Sequence, residues 1–195
     1  MNHIYFGRSC DLNIGNGKTL SAVRLALQKH LLEGKIIFSN IKLRGVDYTP
    51  FTPDSVEQVL ETQGAVVIFD EIHAILFKNH RIGTTCKNHP VPGLCFQMIE
   101  FFRQVRKRGI TTISTAQTFA DAHFQLRTVM QEMVICEKFH IEKGAFKKCE
   151  TDVCPSWHGR HFIKQTNYRN GDVVFIEPEC FYDMYDSSEI VKGWV

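Results

Sequence analysis

The stretch that decides the fold is Asn-Ile-Gly-Asn-Gly-Lys-Thr-Leu, residues 13–20. It follows the apolar residues 4–6 and precedes a helical pattern that begins at Lys18. In this strand, loop and helix context, glycines let backbone amides approach a polyphosphate, the lysine reaches the β and γ phosphates, and the threonine hydroxyl holds Mg²⁺. The helix adds the positive end of its dipole. We therefore predict that the chain binds ATP and Mg²⁺ through Gly15, Asn16, Gly17, Lys18, Thr19 and Leu20.

The loop departs from the full phosphate-binding pattern at its entry. The pattern G-x-x-x-x-G-K-[ST] requires glycine where this chain has Leu12, and the nearest earlier glycine is Gly7. The half of the loop that touches phosphate is intact. An ordinary glycine turn before a helix is the alternative interpretation, and a second motif is needed to decide between them.

That second motif is a pair of acidic residues after an apolar run. Residues 65–69 are continuously apolar, which is typical of a strand covered on both faces of a parallel sheet, and Asp70 and Glu71 follow. Ligands of open α/β sheets bind at the carboxyl edge of the strands. We assign Asp70, together with Thr19, to Mg²⁺, and Glu71 to orienting and deprotonating the attacking water. The alternative is a solvated helix cap.

The composition fits one α/β unit. With 195 residues, of which 44% are hydrophobic, the chain can bury one substantial core, and alternating strand and helix patterns indicate right-handed βαβ units. A net charge of +2 does not by itself indicate a nucleic-acid partner. No apolar run is long enough to span a bilayer and no signal-peptide pattern precedes the first strand, so we expect an intracellular protein. Seven cysteines then indicate reduced thiols or a metal rather than disulfides.

The order of the motifs resembles a known family. A basic segment at residues 103–109 precedes a buried strand at residues 110–114, which leads to Gln117. With the loop, residues 38–41 and the acidic pair, this set resembles the FtsK/HerA superfamily of DNA-pumping P-loop ATPases. Within that superfamily it is similar to genome-packaging ATPases of tailless viruses and to Zot-like phage assembly ATPases. The resemblance covers about residues 1–135 and implies a RecA-like α/β fold, with a mostly parallel sheet flanked by helices.

The resemblance also implies two further roles at the site. Gln117 is expected to sense the γ phosphate, since its amide can bond both a phosphate oxygen and the attacking water. An arginine finger is expected to reach the nucleotide of a neighbouring subunit. Arg106 best matches the family position, with Arg127 and then Arg108 as the other candidates. For each of them, a solvated basic helix end is the alternative.

From this resemblance we predict a viral genome-packaging ATPase that couples ATP hydrolysis to translocation of double-stranded DNA into a preformed capsid. It would act as a homo-oligomeric ring, a hexamer or pentamer, in the host cytoplasm and at the capsid or membrane vertex of the virion. One alternative is a Zot-like ATPase that exports single-stranded phage DNA, a type that usually adds a transmembrane segment. The other is a nucleotide-dependent switch that moves nothing.

The C-terminal third departs from the ATPase pattern. Residues 136–195 predict a β-hairpin-rich extension packed on the core of residues 1–135, and it is the most basic part of the chain. That basic surface could face DNA, a capsid partner or only solvent. Its thiols and imidazoles either form a tetrahedral zinc site or are ordinary buried thiols and exposed imidazoles, and we expect the second. The zinc candidates are Cys136, His140, Cys149, Cys154 and His158.

Overall fold

The structure, a computed structural model, describes residues 1–7, 16–74, 76, 94–149, 154 and 160–190. The helices are α1 (Lys18–Glu33), α2 (Val56–Glu61), α3 (Leu94–Val105) and α4 (Phe124–Val129). The strands are β1 (Asn2–Gly7), β2 (Ile36–Ser39), β3 (Ile41–Leu43), β4 (Thr49–Pro50), β5 (Ala65–Phe69), β6 (Thr111–Thr118), β7 (Glu132–Glu142), β8 (Ala145–Lys148), β9 (His161–Asn167), β10 (Val173–Ile176) and β11 (Tyr185–Ile190).

Most of the strands form one mixed sheet in the order β10-β9-β7-β1-β6-β5-β2-β4, with β8 paired to β7. The strands from β7 to β4 in this order run parallel, whereas β8, β9 and β10 are antiparallel to their neighbours. The predicted α/β class with a mostly parallel sheet is confirmed. The order also places β6 between β1, which leads to the phosphate loop, and β5, which ends at the acidic pair.

Helices cover both faces of this sheet. All five residues of β5 are buried, and they alternate between two separate hydrophobic clusters. Val66 and Ile68 share a cluster with α1, whereas Val67 and Phe69 share one with α3 and α4. Full burial of an aliphatic or aromatic side chain of this size contributes about 1.5–3 kcal/mol. The continuous apolar run at residues 65–69 thus reflects a strand with no solvent face.

Glycines lie at both ends of α1, which begins at Lys18 as the sequence predicts. Gly17 precedes the helix with φ 74°, and Gly34 ends it with φ 66° and a backbone N–H that donates to the carbonyl of His30. A 3₁₀ turn at Arg106–Arg108 directly follows α3. Among the described residues, no helix is long and apolar enough to cross a membrane.

The C-terminal strands extend the same sheet. β7 starts parallel to β1, with His3 opposite Glu132, and then pairs with β9 in an antiparallel register that sets His140 opposite His161. β11 returns to the core and pairs with β3. Five short elements, α4, β3, β4, β8 and β11, were not predicted from the sequence.

Candidate active site

The candidate site residues meet at the carboxyl edge of β1, β5 and β6. The Thr19 hydroxyl, in the first turn of α1, donates a hydrogen bond of 2.8 Å to Oδ1 of Asp70. Asp70 directly follows β5 and is 3% exposed. The structure therefore joins the phosphate loop to the acidic pair, two motifs that lie 51 residues apart in the chain.

Two residues that the sequence did not mark as functional hold Asp70 in place. The side chain of Asn40, just after β2, donates to the carbonyl of Asp70 at 2.9 Å and accepts from its backbone N–H at 2.7 Å. The Thr115 hydroxyl, on β6, donates to Oδ1 of Asp70 at 2.7 Å and accepts from the backbone N–H of Glu71 at 2.9 Å. Both strands that neighbour β5 thus fix the acidic pair.

The environment of Asp70 suits a divalent cation. Burial raises the pKa of its carboxyl, and the charge of Glu71 adds to that rise, whereas the bonds from Thr115 and Thr19 and the charge of Lys18 oppose it. A buried carboxylate next to a hydroxyl offers the hard oxygen ligands that Mg²⁺ prefers. A bound cation would stabilise the ionised form of this carboxyl, which burial disfavours.

Glu71 is held differently and stays open to solvent. Its backbone lies in the left-handed region, with φ 53°, a strain of about 1–3 kcal/mol that is common at active sites. Gln117 Nε2 lies 3.3 and 3.4 Å from its two carboxylate oxygens, and His73 Nε2 lies 3.1 Å from Oε2. Its side chain is 27% exposed, so a water molecule can reach it.

The described half of the phosphate loop is packed, not free. Asn16, Lys18 and Leu20 are buried, whereas Gly15 lies outside the described residues. A Cβ on Gly17 would lie 2.4 Å from Cδ1 of Ile163, a residue of β9. The C-terminal hairpin therefore covers the loop, a contact for which we find no sequence signal.

The three candidate arginines lie at different ends of the sheet. Arg106 and Arg108 precede β6 and so lie at its amino end, opposite Gln117. Arg108 donates to the carbonyl of Leu60 at 2.7 Å. Arg127, on α4, follows the carboxyl end of β6 and lies 5.5 Å from the centre of the Phe119 ring. Because β6 spans about 26 Å, Arg106 lies far from the candidate site of its own chain.

The C-terminal zinc candidates separate into two places. Nδ1 of His140 lies 3.2 Å from Sγ of Cys149 and 3.5 Å from Sγ of Cys154. Cys136 does not join them, because four residues along an extended strand separate it from His140 by about 13 Å. Its thiol instead lies 3.7 Å from the Ser21 hydroxyl, and burial raises its pKa to about 12. His158 lies outside the described residues.

Several cations of the C-terminal segment are paired with carboxylates. Lys147 contacts Glu142 at 2.7 Å and Lys148 contacts Glu137 at 3.1 Å. Arg160 likewise contacts a glutamate, Glu177, at 3.0 Å. The positive charge counted from the sequence is therefore partly neutralised at this surface.

Comparisons with known proteins agree with this geometry. Among curated proteins, none matches the chain in sequence. The N-terminal domain of zonular occludens toxin from Neisseria meningitidis has a similar structure, with 16% identity, a TM-score of 0.57, and coverage of 95% of this chain and 98% of that one. The genome packaging NTPase B204 from Sulfolobus turreted icosahedral virus 2, in complex with ATP-gammaS, is also similar. It has 11% identity, a TM-score of 0.50, and coverage of 91% of this chain and 96% of that one. A KaiC-like protein from Pyrococcus horikoshii has 11% identity, a TM-score of 0.51, and coverage of 94% of this chain and 87% of that one.

At such low identities these likenesses establish the fold alone, which is that of P-loop NTPases. The family is shown by the sequence itself. The profile described as Zonular occludens toxin (Zot) matches residues 52–187, a stretch that begins after the phosphate loop and includes Asp70, Glu71 and Gln117. Since that match spans more than half of the chain, this protein belongs to the Zot family.

Proposed function

We propose that the chain is a Mg²⁺-dependent ATPase of phage assembly, which works as a ring of identical subunits and uses hydrolysis to move DNA. The observation that carries the proposal is the hydrogen bond from Thr19 of the phosphate loop to Asp70, beside a Glu71 carboxylate held by Gln117. This arrangement joins the residues proposed as cation ligands, base and phosphate sensor in one connected polar group. Membership in the Zot family supports the role in phage assembly.

The residues divide the chemistry among them. Lys18 and the start of α1 neutralise the phosphates, while Thr19 and Asp70 would hold Mg²⁺, which supplies further positive charge to the β and γ phosphates when bound. Glu71, whose carboxylate is partly exposed, takes the proton of the attacking water. Gln117 keeps both Glu71 oxygens within 3.4 Å and so orients the base toward that water.

Substitutions at the loop and at the base test hydrolysis. Lys18→Ala should abolish nucleotide binding, because its charge balances that of the phosphates. Glu71→Gln keeps the size of the side chain and should still bind ATP, but turnover should fall about 10²- to 10⁴-fold because only the base is lost. Fluorescent nucleotide binding and phosphate release measure the two effects. Wild-type turnover in Glu71→Gln would remove this residue from the role of base.

The DNA that the protein moves is a separate question with two candidates. Zot family membership favours export of single-stranded phage DNA, and we take this as the primary candidate. The likeness to a genome packaging NTPase favours packaging of double-stranded DNA as the second. The lack of a membrane-spanning helix in the described part of the chain does not separate them, since the similar Zot structure is itself an N-terminal domain.

DNA stimulation of phosphate release distinguishes these candidates. Circular single-stranded DNA should raise turnover more than a matched double-stranded circle if the primary candidate is right. The reverse order would favour packaging. If neither DNA stimulates turnover and the protein stays monomeric with ATP, the result would favour a nucleotide-dependent switch that moves no DNA.

Mixing two inactive variants tests the ring. An Arg106→Ala subunit keeps its own Glu71 but lacks the finger for its neighbour, whereas a Glu71→Gln subunit keeps Arg106. Turnover should therefore return in the mixture, at junctions where an intact Arg106 faces an intact Glu71. If Arg127→Ala is inactive and Arg106→Ala is not, the finger is Arg127.

A further inference from the structure

An imidazole and two thiols meet on the C-terminal hairpin, away from the nucleotide site. His140 comes from β7, Cys149 directly follows β8, and Cys154 lies five residues beyond Cys149. Their ligand atoms all lie within 4.8 Å of one another. We propose that His140, Cys149 and Cys154 bind one Zn²⁺ ion, a site separate from the Mg²⁺ and ATP site and independent of the proposed function.

The distances match a tetrahedral zinc site. With Zn–S near 2.3 Å and Zn–N near 2.0–2.1 Å, tetrahedral angles place a sulfur and a nitrogen ligand about 3.6 Å apart and two sulfurs about 3.8 Å apart. Nδ1 of His140 lies 3.2 Å from one sulfur and 3.5 Å from the other. Both distances are within a few tenths of an ångström of the tetrahedral value, and the two sulfurs lie within 4.8 Å of each other.

The fold holds two of the donors in a fixed relation. The backbone N–H of Cys149 donates to the carbonyl of Lys138 at 2.9 Å, which continues the β7–β8 ladder and sets Cys149 diagonally across from His140. Both side chains are buried, at 3% exposure for His140 and 6% for Cys149. Cys154 is half-buried, so the third donor closes the site from the solvent side.

The donor chemistry selects the ion. Two thiolates and one imidazole favour Zn²⁺ over Mg²⁺, which takes oxygen ligands, and two thiolate charges balance the divalent cation. The fourth position belongs to water or to His161, which faces His140 across β7 and β9 with ring centres 6.3 Å apart. The bound ion would tie Cys154 to the hairpin.

Metal content of reduced, purified full chain tests the site. We expect one Zn²⁺ per chain by elemental analysis, and Co²⁺ in its place should give a thiolate-to-metal absorption band. The triple variant His140→Ala, Cys149→Ser, Cys154→Ser should lose both signals. Cys136→Ala, which removes a buried thiol from the same strand outside the cluster, should keep them. If a His161→Phe variant still binds one Zn²⁺ per chain, the fourth ligand is water.

Stability provides a second measurement that does not depend on the triple variant folding well. A chelator should lower the Tm of the wild type, because metal binding is linked to folding, and should leave the Tm of Cys154→Ser unchanged. Three results would overturn the proposal: no Zn²⁺ or Co²⁺ bound by the reduced wild type, one ion retained by the triple variant, or a Cys149–Cys154 disulfide in the purified protein. The disulfide would appear by mass as the loss of two hydrogens that reductant restores.

Discussion

Replacing Thr115 with valine tests how the site is held together. This hydroxyl is fully buried, donates to Asp70 and accepts from the backbone N–H of Glu71, so one atom positions both acidic residues. Valine keeps the shape of the side chain and removes both bonds. A bond to a carboxylate contributes about 1.5–3 kcal/mol and an unsatisfied buried N–H costs about 1–3 kcal/mol, so we expect a net loss of about 3 kcal/mol in the free energy of unfolding.

Urea unfolding measures that loss. With an m-value of about 2–3 kcal/mol/M, the midpoint should fall by roughly 1 M. Thr115→Ser is the matched control, because it keeps both bonds and loses only a methyl group, for about 1 kcal/mol. Midpoints that fall equally in the two variants would mean that the hydroxyl does not hold the acidic pair.

The same variant makes a prediction about the cation. The Thr115 bond lowers the pKa of Asp70 against the effect of burial, so its removal should raise that pKa further and weaken Mg²⁺ binding. The Mg²⁺ concentration for half-maximal turnover should rise roughly tenfold or more, as for other groups that orient a metal ligand. The acid limb of the pH–rate profile should also move to higher pH. An unchanged Mg²⁺ requirement in Thr115→Val would refute the link from Thr115 to Asp70 and the cation.

Two further predictions concern packing and protonation. Gly17→Ala should lower stability by about 1–2 kcal/mol for its left-handed φ alone, with an added loss from the clash with Ile163. Ile163→Ala, which removes all three carbon atoms that the new Cβ would meet, should relieve that added part in a double-mutant cycle of urea midpoints. Burial, with nearby positive charges, lowers the pKa of His3 from 6.5 to about 4. As the pH falls from 6.5 to 4, the unfolded chain therefore takes up a proton that the folded chain does not, and the free energy of unfolding should fall by about 3 kcal/mol. His3→Gln should flatten that slope; an equal slope in both proteins would mean that His3 is not buried neutral.

The sequence predicted the parts of the fold that one strong local signal specifies. The apolar run at residues 65–69 gave β5 with its bounds, since a strand buried on both faces leaves no polar position to interrupt the run. The helical pattern likewise predicted the start of α1 at Lys18. α4 and β8 have six and four residues, too few for a periodic pattern to stand out from the surrounding chain.

The parts of the site that the sequence did not predict depend on neighbours in the sheet. Asn40 and Thr115 act on Asp70 because β2 and β6 flank β5, and that order cannot be read from any single segment. Cys136 and His140 illustrate the opposite case. Their spacing of four residues suits a helix face, but on a strand it separates them by about 13 Å, so secondary structure decides which residues can share an ion.

The contacts of β7 and β9 with the phosphate loop join the C-terminal extension to the candidate site. Ile163 of β9 fills the space above Gly17, and Cys136 of β7 lies against Ser21, whose hydroxyl donates to the carbonyl of Gly17. A loop that tightens around a nucleotide must therefore move against these two strands, since packed side chains transmit displacements of a few tenths of an ångström. The proposed zinc ligand His140 lies farther along β7. β7 therefore joins the described half of the loop to the hairpin that carries His140.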